Sequence, residues 1–412
     1  MIPLFFMNPS TSHPWQHQLG PQAPWAARRG LALLANMQTG GLQLRLPHGP
    51  TLQLGSQDTL QAQVVLNNWQ VFGASLRSGD IGFAQSFIAH DWDTPDLTTL
   101  LRVLLRNRAA LDDMVFGHWW GRLAYQIRHA WRRNTRRQSR DNIHAHYDLG
   151  NDFYRLWLDP SMTYSSAWFD GNPAQDLQTA QWAKVRRALR MAGVQAGDRV
   201  LEIGCGWGGL AEAGAREFGA QMTGITLSPS QLQFAQARLQ ALSLHADLRL
   251  QDYRDTQDGP YDAICSIEMI EAVGRDYWPA YFQAIARLLK PGGRACIQSI
   301  VIDDALFDRY AQSTDFIQQY IFPGGFLPSR ATFVAQAQAA GLQVIDTLAF
   351  GQDYAETLQR WRKAFVSQQE HLSALGFDRR FERTWLFYLA YCEAAFAEHN
   401  TDVVQFTLRK PA

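Results

Sequence analysis

From residue 199 onward, short apolar runs alternate with longer stretches whose apolar residues recur at three- and four-residue spacing. The runs at 200–203, 221–227, 248–251, 261–267 and 294–300 read as buried strands. Helical patterns fall between them. One opens near Leu210. A second opens at Ser228-Pro-Ser-Gln231, a Ser-x-x-Gln capping box with proline at the first helical position. A third spans 277–289 and stops at Lys290-Pro-Gly-Gly293. Two more strands, at 342–346 and 403–409, bracket amphipathic helices at 357–365 and 381–398. This alternation predicts an α/β fold, a doubly wound and mostly parallel sheet with its ligand at the carboxyl ends of the strands.

The chain before this core reads differently. Residues 1–25 suggest a flexible leader, and 26–127 a smaller N-terminal α/β domain. Within it, 41–54 alternates apolar and polar positions around Pro47-His-Gly-Pro50, which signals a hairpin. Helical stretches follow at 79–93 and 97–105. Residues 128–143 form a basic linker with six arginines between Arg128 and Arg140. That segment is either a solvated connection or, with Trp119, Trp120 and Trp131, a patch for anionic phospholipid headgroups. The larger domain spans 144–412.

Composition narrows the options. Basic and acidic residues balance at 38 each, so global charge gives no reason to expect a nucleic-acid partner. Cys205, Cys265, Cys296 and Cys392 lack metal or disulfide spacing, which fits a reducing compartment. His144 and His146 stand two apart without a partner cluster, so no metal is expected. No secretory signal or transmembrane span is evident. The 14 Trp and 23 Phe residues suit a large core, and some suit an acyl-chain pocket or a membrane interface.

The first strand runs into Gly204, Gly206, Gly208 and Gly209, a turn whose missing side chains let backbone approach a nucleotide-type ligand. NAD and FAD sites use the same device. Here, however, the second strand ends without the usual ribose-binding acid, leaving Thr226 and Gln231 in its place. Glu202 within the first strand and Lys290-Pro-Gly-Gly293 before the fifth resemble the class I S-adenosylmethionine methyltransferases.

Further motifs sharpen the resemblance. His144-Ala-His-Tyr-Asp-Leu-Gly-Asn-Asp-Phe-Tyr154, Met162-Thr-Tyr-Ser-Ser-Ala-Trp-Phe169, Gln251-Asp-Tyr-Arg-Asp255, Glu268-Met-Ile-Glu271, Tyr320-Ile-Phe-Pro-Gly-Gly-Phe-Leu-Pro328 and Phe350-Gly-Gln-Asp-Tyr354 follow in order. Together they closely resemble the cyclopropane-fatty-acyl-phospholipid synthase family, which includes the mycolic acid cyclopropane synthases. The resemblance covers about residues 75–410. It implies attack by the π-electrons of a cis double bond, in a phospholipid acyl chain, on the sulfonium methyl of S-adenosylmethionine. Proton loss and closure to a cyclopropane then follow.

In that family the base is a bound bicarbonate, held by a Cys, a Glu, a His, a backbone N–H and a Tyr. By position these are Ser166, Glu271, Gln298, Ile300 and Tyr354, so the Cys and the His are both replaced. Ser and Gln still offer donors to an anion, but they lack the titration of Cys and His. A ring is the leading expectation; an exo-methylene or methyl-branched product is the alternative. The resemblance further places Tyr164 and Ser165 at the methionine end, Gly204, Gly206 and Gly208 beneath sulfonium and ribose, and Tyr253 and Arg254 beside the adenine. Glu202, Thr226 and Gln231 complete the cofactor set. Residues 303–328 are expected as helices over an acyl pocket, presenting Tyr310, Phe316, Ile317, Tyr320, Ile321 and Phe322.

The enzyme implied works from the cytoplasm, peripherally attached to the inner membrane face, with unsaturated phospholipids as partners and a homodimer open. Two competing readings keep the fold: methylation of a soluble small molecule, or a lipid-binding scaffold with a decayed site. The intact glycine turn, Gln231, Glu271 and Tyr354 weigh against decay.

Overall fold

A computed structural model describes residues 19, 22–47, 49–56, 60–111 and 149–412. The chain divides into two compact units, 1–118 and 119–412. The basic segment 128–143, Trp119, Trp120, Trp131, His144 and His146 lie outside the described residues.

In the first unit, helix α1 (Trp25–Leu34) precedes strands β1 (Gly41–Arg45), β2 (Thr51–Gly55) and β3 (Gln61–Leu66). The expected hairpin is present, with Gly41 opposite Gly55 and Arg45 opposite Thr51. Alternation along β2 puts Leu52 and Leu54 inside and their neighbours outside. Helix α2 (Gln70–Ile88) begins well before the helical stretch expected from 79. It kinks at Ser78 and Gly79, whose φ of 59° breaks the ladder. Strand β4 (Trp92–Asp93) closes a sheet of order β2-β1-β3-β4, and α3 (Leu97–Arg106) is capped by Asp96.

The second unit is a seven-stranded sheet of order β10-β11-β9-β8-β5-β6-β7. Its strands are β5 (Arg199–Ile203), β6 (Gln221–Thr226), β7 (Ala246–Leu250), β8 (Tyr261–Ile267), β9 (Leu289–Ile302), β10 (Gln343–Ala349) and β11 (Thr401–Arg409). β5 through β9 run parallel, while β11 inserts antiparallel between β9 and β10. Residues alternate between two cores. Leu201, Ile264 and Ile297 face Phe282, Phe333 and Phe406 on one side. Val200, Cys265 and Cys296 face Val185, Ala188 and Leu189 on the other. The buried cysteines are thus small apolar packing residues, and all four are unpaired.

Two local expectations are corrected. Lys290-Pro-Gly-Gly293 does not stand outside the last parallel strand; β9 starts at Leu289 and absorbs it. Lys290 pairs with Asp262 on the neighbouring strand, and a side chain at Gly293 would come within 2.9 Å of the Asp262 carbonyl. Ser228 does cap the helix α7 (Pro229–Ala241), but the box is half formed. Its hydroxyl accepts from Gln231 N–H at 3.3 Å, while the Gln231 carbonyl turns to Thr226. The complete capping box lies instead at Asp315 and Gln318.

Helices α4 (Asn151–Arg155) and α5 (Leu177–Met191) precede β5 in the chain and α6 (Gly209–Glu217) follows it; α5 packs on β9 and α6 on β6. Short helix α8 (Ile270–Val273) and then α9 (Trp278–Leu288) follow β8. Residues 303–328 form two short helices, α10 (Asp304–Ala311) and α11 (Phe316–Tyr320), before α12 (Arg330–Ala339). Helices α13 (Gly351–Val366), α14 (Gln369–Ala374) and α15 (Arg379–Ala397) lie between β10 and β11.

Candidate active site

Helix α6 begins where β5 ends, and the turn between them requires glycine. Gly204, Gly206 and Gly208 take φ values of 84°, 51° and 83°. Gly204 and Cys205 both donate to the Ile225 carbonyl at 2.9 Å, which locks the turn to β6. Gly204 and Gly206 line the pocket at the carboxyl edge of the sheet, and a Cβ on Gly206 would meet nothing within 4 Å. Gly208 is placed differently from the sequence expectation. It caps α6 rather than lining the pocket, and a Cβ there would sit 2.9 Å from the Ala235 side chain. Gly208→Ala is therefore expected to cost about 1–3 kcal/mol of stability through backbone strain and crowding. Denaturant titration checks this; an unchanged midpoint would refute it.

The same pocket collects Tyr164, Ser165, Glu202, Thr226, Gln231, Tyr253 and Arg254. The Thr226 hydroxyl donates to the Gln231 carbonyl oxygen at 3.1 Å and accepts from Ser228 N–H at 3.2 Å. Gln231 therefore keeps its amide nitrogen for a ligand. Arg254 pairs with Asp252 at 2.6 Å. Glu202 is buried with its Oε2 lacking any hydrogen-bond partner among the described residues. Burial pushes its pKa well above the ordinary carboxylate value. An enclosed acid with one oxygen unbonded, beside a bare glycine turn, suits a ligand with cationic ammonium and sulfonium groups. S-adenosylmethionine has both, so the residues fit it.

The five residues expected around an anion do come together, but in an arrangement the sequence did not suggest. Glu268, the residue after β8, occupies their centre. Its Oε1 accepts from Ser166 N–H at 2.9 Å and from Gln298 Nε2 at 2.7 Å. Its Oε2 accepts from the Tyr354 hydroxyl at 2.7 Å. The Ser166 hydroxyl points away, donating to the Ala167 carbonyl at 2.9 Å, so this residue serves through its backbone. Ile300 N–H is taken by Glu271 Oε1, and Glu271 Oε2 has no partner among the described residues.

The two carboxyls differ in surroundings. Three donors converge on Glu268, a pattern that favours its ionised form. Burial raises its pKa, while Lys184, Tyr354, Ser166 and Gln298 pull it back. Glu271 has fewer donors. Burial first, and repulsion from Glu268 second, push its pKa up to about 8. Glu271 is thus the protonated member of the pair near pH 7, while the donors around Glu268 favour its charged form.

Sequence reading missed two residues here. Lys184 on α5 is fully buried, its Nζ donating to Ser165 Oγ at 2.5 Å. Burial lowers its pKa to about 8 against the pull of Glu268, Asp159 and Glu202. Its position four residues after Ala180 and four before Ala188 places a cation on an apolar helical stripe, which was the available signal. Glu268 carried no such mark beyond its place in the quoted motif.

Aromatic rings wall the opposite side. Tyr164 lies 5.4 Å from both Tyr154 and Trp157 and 5.5 Å from Trp361, and its hydroxyl meets that of Tyr388 at 2.7 Å. Trp207, also lining the pocket, packs on Tyr154 at 5.1 Å and donates to Asn151. Beyond Glu271, the segment after α11 turns back. Phe326 N–H donates to the Glu271 carbonyl at 2.8 Å, and Tyr310 packs on the Phe326 ring at 4.8 Å. Phe316 is buried against Phe387 on α15. Among the described residues no His, Cys, Asp and Glu cluster could hold a metal, and no helix is long and apolar enough to cross a membrane.

Known proteins are similar to this chain in sequence and fold. The family model for mycolic acid cyclopropane synthetase matches residues 134–406. The chain is 40% identical to a tuberculostearic acid methyltransferase of Mycobacterium tuberculosis, covering 94% of this chain and 92% of that one. It is 32% identical to the cyclopropane-fatty-acyl-phospholipid synthase of Escherichia coli K12, over 84% and 87% of the two chains. A crystal structure of a mycolic acid cyclopropane synthase complexed with SAH and CTAB superposes with a TM-score of 0.62 at 33% identity, covering 66% of this chain and 98% of that one. The fold is accordingly that of the class I methyltransferases, and S-adenosylmethionine is the cofactor. The chain belongs to the mycolic acid cyclopropane synthetase family, S-adenosylmethionine-dependent methyltransferases that act on lipid acyl chains.

Proposed function

We propose that this enzyme adds the methyl carbon of S-adenosylmethionine to the cis double bond of an unsaturated phospholipid acyl chain, and that the carbon is kept as a methylene or methyl branch. One observation carries the reading. The glycine turn, the Glu268 carboxylate and the aromatic faces of Tyr164 and Trp207 line the same pocket. S-adenosylmethionine supplies the electrophilic methyl. Gly204, Gly206, Gln231 and Glu202 would hold it in place. The aromatic faces stabilise the cation left on the attacked chain, and apolar walls keep water from trapping it. Half-buried Tyr310 and Phe322 in the 303–328 segment offer apolar surface for the acyl chain. Such a substrate requires work at a membrane surface, for which the arginines at 128–140 are suited.

A branch is favoured over a ring by two observations. The relative matched at 40% over nearly its whole length bears a methyltransferase name, and Ser166 and Gln298 depart from the ring-forming pattern. The ring is the second reading, favoured by the Escherichia coli synthase match. The test is expression in a bacterium lacking its own synthase, with mass spectrometry of fatty acid methyl esters. A gain of one CH2 on unsaturated chains is expected, and NMR separates exo-methylene from cyclopropane protons. No gain on any chain, with folded protein and labelled cofactor, would sink the proposal.

A further inference from the structure

Every donor expected to hold an exogenous anion is already engaged within the chain. Ser166 N–H, Gln298 Nε2 and Tyr354 OH end on Glu268, and Ile300 N–H ends on Glu271. The Gln298 amide cannot turn to present its oxygen instead, because its Oε1 accepts from Gln405 Nε2 at 3.0 Å. The Gln405 oxygen in turn accepts from Arg187 at 2.5 Å, and Arg187 is anchored on Asp346 at 3.1 Å. A chain of oriented donors thus runs across the sheet and terminates at the Glu268 carboxylate.

The backbone marks the same residue. Glu268 holds φ at 50°, a left-handed conformation uncommon for a residue with a side chain. Strain of this kind persists where surrounding structure over-determines it, and it gathers at functional positions. The Glu268 N–H donates to the Gln298 carbonyl at 2.8 Å, so backbone and side chain are both tied to β9. Glu268 also lines the cofactor pocket, where it remains partly open.

We propose that Glu268 is the catalytic base, a carboxylate built into the chain that takes the place of bound bicarbonate. This rests on the reading that the enzyme methylates an acyl-chain double bond. The alkene π pair forms a carbon–carbon bond to the donor methyl as the sulfur–carbon bond breaks, its electron pair staying on sulfur. The cation then loses a C–H proton to a Glu268 oxygen, and that C–H pair stays in the product as a new carbon–carbon bond, single or double. Glu268, now neutral, returns the proton to water through the pocket.

The test uses the full chain with S-adenosylmethionine and dioleoyl phosphatidylglycerol vesicles, in buffer stripped of carbon dioxide and with bicarbonate restored. Wild-type turnover should change by less than about two-fold between the two conditions. Glu268→Gly should lose about 10²–10⁴-fold in turnover, the usual worth of a positioned base. Glycine accepts the φ of 50° without strain, so the fold should survive and calorimetric cofactor affinity should be kept. Added formate or bicarbonate should restore part of the lost rate by filling the vacated cradle. Glu268→Gln should be equally slow and should not be rescued. Wild-type turnover that collapses without bicarbonate, or a Glu268→Gly variant as fast as wild type, would overturn the assignment. Anion binding followed by carbon-13 NMR of labelled bicarbonate needs no turnover: saturable binding to wild type refutes the proposal, and binding gained only by Glu268→Gly supports it. Absence of turnover on the vesicles under every condition would count against the acyl-chain reading alone.

Discussion

Lys184→Met is expected to lower stability by about 3–5 kcal/mol, the usual effect of removing one partner from a buried charge group. The lysine is fully buried and faces Glu268, Asp159 and Glu202, so its loss leaves enclosed carboxyls without a counter-charge. Methionine preserves most of the volume, which isolates the charge from the packing. Cofactor affinity should also fall, because Nζ positions Ser165 at the pocket. Urea denaturation measures the first effect and calorimetry the second. A loss below about 1 kcal/mol, the range of an exposed pair, would show that the ammonium compensates nothing.

At Glu271 the decisive variable is pH. Its pKa in the folded protein is about 8 against an ordinary 4.5, so the folded state favours the protonated form. The stability contributed is complete below pH 4.5 and is lost as pH rises through about 8. Wild-type stability should therefore fall between pH 5 and 8, by about 1 kcal/mol per pH unit at the steepest. Glu271→Gln, neutral throughout, should flatten that slope. It also keeps an acceptor for Ile300 N–H, so turnover at pH 7 should stay within about ten-fold of wild type. Glu271→Ala loses that acceptor and should fall by about 10²-fold or more, comparable with removal of a preorganised polar contact in an active site. Thermal melts across pH, paired with initial rates, check both. An equally dead Gln variant at pH 7 would mean that an ionised Glu271 is required.

Much of the fold was legible because the core strands are short, apolar and separated by helices with clear period. β8 matches its expected bounds at both ends, and the hairpin of β1 and β2 falls where the Pro47-His-Gly-Pro50 turn placed it. β3 was missed, since Gln61 to Leu66 alternates weakly and pairs with β1 through a parallel, non-local contact. The site was less legible. Residues matched to the family pattern do lie together in space, yet their common partner was not foreseen. A motif gives spacing, whereas the direction of the Gln298 amide depends on Gln405 and Arg187, which come from a distant strand and helix.

The oriented amide chain from Asp346 to Glu268 has a consequence for how this lineage could change. Restoring Cys at 166 and His at 298 would not by itself rebuild a mineral-ion enzyme, because the position such an ion needs is already filled by a neighbour from the same polypeptide. With Glu268 as the base, an organism using this version would keep modifying its lipids at a rate indifferent to dissolved carbon dioxide, in carbon-poor surroundings as readily as in rich ones.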